Sequence, residues 1–428
     1  MTDEEIAGVG PALAASLGRF RACFPHPATA AHFPTYCRGL LSELPRKSVE
    51  PIALASGTAV RTLQEFLASY PWDHDAARDI LQKHLAGFAG TLPGDATGTV
   101  GVIDETSCRK WGDQTPGVQR QYLGCVGKVD NGIVTVHVGL ARGDFHALLD
   151  AELYLPKSWS GDRDRCDKAG IPKDMIHRPK WRIALEQVVR LRQNGVRFDW
   201  LTFDEGYGAS VPLLRCLNLI GQRFVAEIPV NFSVRDRMDG PPMRADARLT
   251  AADARRGTTH RMPHRTTADS RWRGATVRVW VGGREHLLVV AVNEATAEVK
   301  YFLSGETDSP LKRLLAVAFR RWTVEHGFRA AKQETGLMNY EGRQYDGLIR
   351  HLILALTTLG FAALHAGGLR GGKPDGDTGA GVPGDERNLP DSVPPTPGKH
   401  GPGQHGRDHS LPSATKQNRR RMPQKAKA

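Results

Sequence analysis

Paired cysteines, long apolar runs and, in its most basic internal segment, lysine are all missing from this sequence of 428 residues. Its cysteines, Cys23, Cys37, Cys108, Cys125, Cys166 and Cys216, include no Cys-x-x-Cys. That argues against a disulfide framework and a zinc knuckle, and the thiols are expected to be reduced and mostly buried. No unbroken run of about 18 apolar residues occurs, and the opening MTDEEIAGVG is acidic without an apolar signal stretch. Neither membrane spanning nor export is expected, and the expected compartment is the cytoplasm. With 40% hydrophobic and 24% charged residues the chain can bury a large core, spread over two or three domains.

The net charge of +12 has two sources. Residues 367–428 hold eleven Lys or Arg against six acids in a Gly/Pro/Ser-rich stretch, which is expected to be a disordered basic tail. Residues 235–284 hold twelve Arg, no Lys and five Asp, and everything else is neutral. A charge run is often only a solvated face. Arginine alone, interleaved with Trp272 and Trp280, suits phosphate and base contacts better.

What is present is an unusual placement of acid. In TVGVIDETSCRKWG an apolar run ends in Asp104 and Glu105, and in FDWLTFDEGYG another ends in Asp204 and Glu205. A buried carboxylate costs several kcal/mol unless something pairs with it, so two strands delivering Asp-Glu to their C-terminal ends need a reason. Neighbouring strand residues face opposite ways, so each Asp and the Glu beside it serve different surroundings. A third acid stands in RRWTVEHGFRAAKQETG, where Arg321, Glu325 and Lys332 fall within roughly 40° of one line along a helix. Taken alone, that stripe is an exposed i,i+4 pair.

The organisation falls into parts. Residues 1–95 show helical periodicity, with Val60, Leu63, Phe66 and Leu67 on one face of VRTLQEFLASY, and TLPGDATG marks a break. Strands TVGVID, QYLGCVGKV and GIVTVHVGLA follow as an antiparallel meander, with Asp130-Asn131-Gly132 as a tight turn between the last two. A helix over 181–193 leads to FDWLTFD, and another precedes RFVAEIPV. The first part of the core spans 96–230, a basic β-rich segment with the hairpin ATVRVWVGG/EHLLVVAV spans 231–306, and a helical region spans 307–366.

Together these motifs resemble the bacterial insertion-sequence transposases of the DDE type, in the group marked by Tyr, Arg, Glu and Lys with two, three and six residues between them. Arg321, Glu325 and Lys332 keep that spacing, and Ala318 stands at the Tyr position. IDETSCRKWG, GVQRQYLGCVGKVDNG, LYLPKSW, DRCDKAGIP, FDEGYG and GLMNYEGRQYDGLIRHLILAL occur in the family's order, and CRGLLSELPRKSVEPIA resembles its helical lead-in. The resemblance covers about residues 33–365.

The resemblance implies an α/β fold: an RNase H-like mixed sheet flanked by helices, a helical N-terminal DNA-binding domain and a β-rich insertion before the last catalytic helix. It also implies metal-dependent cleavage at element ends and strand transfer into target DNA. Asp104, Asp204 and Glu325 would hold two Mg²⁺ ions ~4 Å apart, with Mn²⁺ able to substitute. Asp104 would lie between the ions, and their charge would explain the acid at the strand end. The implied partners are double-stranded DNA, both terminal inverted repeats and target, and a second copy of the chain on DNA, in the bacterial cytoplasm at the nucleoid. Arg321, Lys332, Lys110, Arg255, Arg256, Arg261 and Trp272 are the candidate DNA contacts, with Trp280 a core position. His260 and His264 have a spacing metals use, but without an accompanying Cys or acid they read as surface histidines. Two alternatives stay open: an RNase H-like nuclease that cuts without joining, and a catalytically silent DNA-binding descendant.

Overall fold

Runs of apolar residues and alternating runs take different places in this fold. The computed structural model describes residues 3–262 and 269–371. Five helices come first, α1 (Asp3–Gly18), α2 (Pro27–Leu41), α3 (Val49–Ala55), α4 (Val60–Ala68) and α5 (His74–Thr91). α4 buries Leu63, Phe66 and Leu67 along the expected face, with Val60 at its margin. Asp73 starts α5 by accepting a bond from the Ala76 amide at 2.8 Å, leaving Ala77, Leu81, Leu85 and Ala89 on its buried stripe.

Six strands follow: β1 (Thr99–Arg109), β2 (Gln119–Leu123), β3 (Lys128–Arg142), β4 (Phe145–Leu153), β5 (Trp200–Phe203) and β6 (Phe224–Ile228). Between β4 and β5 lie α6 (Lys157–Ser160), α7 (Arg163–Lys168) and α8 (Lys180–Gln193), and between β5 and β6 lie α9 (Glu205–Gly208) and α10 (Val211–Leu219). β3 pairs antiparallel with β1 on one edge and with both β2 and β4 on the other. β1, β5 and β6 run parallel, joined through helices. The spatial order β4-β3-β1-β5-β6 is that of an RNase H-like sheet, as expected.

The second half extends that sheet rather than standing apart from it. A small pair, β7 (Ser233–Val234) and β8 (Met243–Arg244), precedes α11 (Ala245–Arg248) and α12 (Ala251–Arg256). β9 (Thr258–Met262), β10 (Ser270–Val281), β11 (Arg284–Asn293) and β12 (Val299–Ser304) then pair in sequence, and β12 joins β6. Among the described residues this makes one ten-stranded sheet. β11 is buried from Leu287 to Asn293, whereas β10 exposes Arg271, Arg273 and Arg278 on the positions between its packed residues.

α13 (Leu311–Ala318), α14 (Trp322–Glu334) and α15 (Tyr345–Gly371) complete the fold. α15 is apolar all round because it is buried all round, from Leu352 to Leu356 without interruption. By length and mean composition Tyr345–Gly368 is apolar enough to cross a membrane, although Asp346, Arg350 and His351 interrupt it, and 78% of its most apolar window is covered by the protein itself. The helix runs five residues past 366, into the stretch expected to be tail, and the rest of that stretch, 372–428, lies outside the described residues.

Other expectations also change. The strands do not form a sequential meander, because β3 inserts between β2 and β1. The hairpin turn between β2 and β3 lies at 124–127, with Gly127 at φ +66°, not at Asp130-Asn131-Gly132. Gly132 serves close approach instead: a Cβ there would stand 2.3 Å from the Cys108 carbonyl oxygen and 2.6 Å from Leu123 Cδ1. β4 carries no signal in the strand reading above.

Candidate active site

The site grows out of the parallel register. Ile103 pairs with Phe203, so the next residues on the two chains, Asp104 and Asp204, emerge side by side. β1 does not end there. It continues five residues further to Arg109, paired with β3 alone, so Asp104 stands mid-strand, opposite His137, where the parallel contact stops. β5 does end, and Asp204 becomes the N-cap of α9, accepting from the Tyr207 amide at 3.2 Å. α9 can lie close to β6 because residue 208 is glycine: a Cβ there would be 1.8 Å from the Glu227 carbonyl oxygen.

Asp104 is 9% exposed, and its Oδ1 accepts the Glu105 amide at 2.7 Å. Burial first, and the Asp204 charge second, push its carboxyl up to about 7. Glu105 faces other groups: Lys180 pairs with it at 2.6 Å and the Tyr207 hydroxyl donates to it at 3.4 Å. Burial, then the Glu105 charge, hold the Tyr207 hydroxyl well above its ordinary range. Glu205 opens α9 and is exposed.

The expected helical stripe keeps its i,i+4 pair, Arg321 with Glu325, at the start of α14. Residues 319–321 form a 3-10 turn, and Arg321 sits at the start of α14 rather than inside one continuous helix. From there its guanidinium lies 3.7 Å from Asp104, 3.4 Å from Glu227 and 3.8 Å from Glu325. One nitrogen thus stands between Asp104 and Glu325. Glu227, on β6, joins this cluster and is also held by Lys300 at 2.6 Å. Its only mark in the sequence was a single acid inside the apolar RFVAEIPV. Glu325 is 63% exposed at the side chain, and among the described residues no three His, Cys, Asp or Glu side chains close into a metal-binding group.

The remaining candidates divide. Lys332 is half-buried over the same face of the sheet, where its charge, after burial, helps lower His137 to about 3. Lys110 is tied up by backbone carbonyls, those of Met338 at 3.4 Å and Tyr340, so the structure uses it to hold the loop after α14 and its phosphate role is not supported. Trp272 is 4% exposed with its ring 4.6 Å from Phe319, a core residue rather than a base-stacking one. Trp280, expected in the core, is half-buried. Arg256 and Arg261 are exposed and pair with Asp253 at 3.8 Å and with Asp269, and Arg255 is exposed. His260 meets Thr258 at 2.9 Å, and His264 lies outside the described residues. Ala318, at the Tyr position, is buried in α13.

An RNase H-like sheet with acids at the β1/β5 junction defines a class of phosphodiester-cleaving proteins, and the family comparison agrees: the chain belongs to the DDE superfamily endonucleases, matched over residues 19–284. That match takes in Asp104 and Asp204 and stops before Glu325. A curated relative, the probable transposase for insertion sequence element IS701 from Microchaete diplosiphon, is 31% identical over 195 residues, 45% of this chain. The aligned part spans 46% of that relative, about half its length. Among solved structures, the NurA nuclease of Sulfolobus solfataricus aligns over 60% of this chain and 91% of its own, at 9% identity and a TM-score of 0.23.

Proposed function

We propose that this endonuclease-family chain is an insertion-sequence transposase, which cuts DNA at the ends of its element and joins the freed 3′-hydroxyl to target DNA. The observation that carries the reading is the buried Asp104 carboxylate beside Asp204 at the parallel junction, with its nearest cation, Arg321, 3.7 Å away. Such an acid calls for positive charge of a kind the chain itself does not fully supply.

Hard oxygen donors fit a divalent cation of the Mg²⁺ type, and Asp104, Asp204 and Glu325 would hold it. Bound there, it would activate the attacking hydroxyl and stabilise the leaving oxygen. Arg321 now spans Asp104, Glu227 and Glu325, and charge added at the carboxylates would leave its guanidinium available to a phosphate. Lys332 lies over the same face as a second phosphate contact. Residues 1–95 are assigned to the terminal repeats, the arginines of 235–284 to the DNA backbone, and two copies of the chain to the paired ends.

The test incubates the full chain with DNA from the flanks of its gene, a plasmid target and Mg²⁺ or Mn²⁺. Cut ends covalently joined to the plasmid are expected. Cutting without joining would reduce the function to a nuclease, and binding without cutting to a silent descendant.

A further inference from the structure

Arg321 lies across the end of β5, and the acids on its two sides are held unequally. Ile103, Phe203 and Ala226 stand in one row of the parallel strands, so Asp104, Asp204 and Glu227 follow in the next. Neighbours in a row share a face. Asp104 and Glu227 sit two strands apart, roughly 10 Å at the usual strand spacing. The Arg321 guanidinium bridges that gap: Nη1 lies 3.7 Å from Asp104 and 3.8 Å from Glu325, and Nη2 lies 3.4 Å from Glu227.

The Glu227 side chain is only 16% exposed, and its two oxygens go to different cations, Oε1 to Lys300 Nζ at 2.6 Å and Oε2 to Arg321. Lys300 can reach it because Phe302 pairs with Glu227, and a residue two positions earlier on β12 returns to the same face. An acid already answered at 2.6 Å has little left to offer a metal ion. Asp104 and Glu325 differ in this, since Arg321 is their nearest cation and stays at 3.7 and 3.8 Å. Nη1 would therefore be repelled by any cation those two acids held, whereas Nη2 would keep its partner.

We propose that Glu227, fixed by Lys300, is the positioning residue of Arg321. It keeps the guanidinium at the site through Nη2 while Nη1 gives way at Asp104 and Glu325 and becomes free for a DNA phosphate. Without that anchor the whole guanidinium would settle on Asp104 and Glu325 and compete with the cation they are to hold. The inference rests on the reading that Asp104, Asp204 and Glu325 hold a divalent cation.

A charge-balanced pair tests it. Glu227→Gln with Lys300→Met removes one charge of each sign and leaves the local net charge as it was. Binding of Mn²⁺ to the full free chain, read by electron paramagnetic resonance, should weaken about tenfold in this double variant, within the range of coupling between contacting residues. The same two substitutions made on Arg321→Ala should have no further effect, because the residue they act through is gone, whereas a general loosening of the site would weaken binding in both backgrounds. Glu227→Lys with Lys300→Glu keeps the pair and the net charge but turns a cation toward Arg321, so it should lose at least as much affinity, and its melting temperature serves as the folding control. Unchanged Mn²⁺ affinity in both pair variants, or a loss that persists on Arg321→Ala, would overturn the anchor even if the wild-type protein cuts DNA. If the loss appears and vanishes with Arg321 but no DNA is cut or joined, the anchor stands and the transposase reading fails.

Discussion

On β10, Arg271 and Arg273 share Glu294 at 3.0 and 2.8 Å, and Arg278 meets Glu285 at 2.6 Å and Asp308 at 2.8 Å. On β1, by contrast, Asp104 gets no closer than 3.7 Å to Arg321. The two halves of one sheet thus treat charge in opposite ways. In the basic half many charges are exposed and answered locally, and pairs of that kind contribute at most about 1 kcal/mol each. At the β1/β5 junction of the other half, the buried Asp104 lacks a close cationic partner. An unanswered buried charge is the costly arrangement, and it is where a ligand has most to offer. Net charge alone would have pointed at the wrong half.

The sharpest way to break this contrast is Asp104→Asn, which keeps shape and removes charge. Divalent-dependent cleavage should fall at least about a hundredfold, ~2.7 kcal/mol of transition-state stabilisation, with DNA binding retained. Rates on end-containing DNA check it. Next comes Gly208→Ala. Its Cβ would meet the Glu227 carbonyl oxygen at 1.8 Å, pushing α9 off β6 and moving Asp204 with it. A loss of about 1–3 kcal/mol in denaturant unfolding and a weaker response of cleavage to Mg²⁺ are expected.

A third prediction separates the halves by pH. Burial holds His137 at about 3 and His351 at about 4, both below the ordinary 6.5. The unfolded chain then binds more protons than the native one below pH 6.5, so stability present above 6.5 is lost as pH falls toward 4. By pH 5 each histidine should account for up to about 2 kcal/mol, and His137→Asn should flatten that decline in urea melts. The smallest effect on folding belongs to the basic half. Arg255→Ala, Arg256→Ala and Arg261→Ala combined should change stability by about 0.5 kcal/mol or less. If these arginines grip phosphates, the slope of log affinity against log salt should flatten by roughly 0.9 for each lost contact. An unchanged slope would make them a solvated face.

Sequence reading reached the acidic half better than the details around it. Asp104 and Asp204 were visible because an acid closing an apolar run has no cheap structural explanation. Glu227 was invisible, since one acid in a five-residue strand looks like ordinary alternation, and only β12 and Arg321 bring it to the cluster. The 3-10 turn at 319–321 left no mark either, because FRRW contains neither Gly nor Pro. Gly132 was misread as a turn residue, for a glycine needed at a crowded strand crossing and one needed for a turn look alike in sequence. The reading of Trp272 as a DNA contact failed for a related reason. Trp272 sits among arginines yet points inward on an alternating strand.

Iron-directed backbone cleavage tests the central claim most directly. Fe²⁺ bound in place of Mg²⁺, with ascorbate and peroxide, cuts the chain where the ion sits. The account predicts fragments ending near Asp104, Asp204 and Glu325, competed away by Mg²⁺ and absent in Asp104→Asn. Cuts elsewhere, or cuts at these positions that survive Asp104→Asn, would contradict a divalent cation site at the β1/β5 junction.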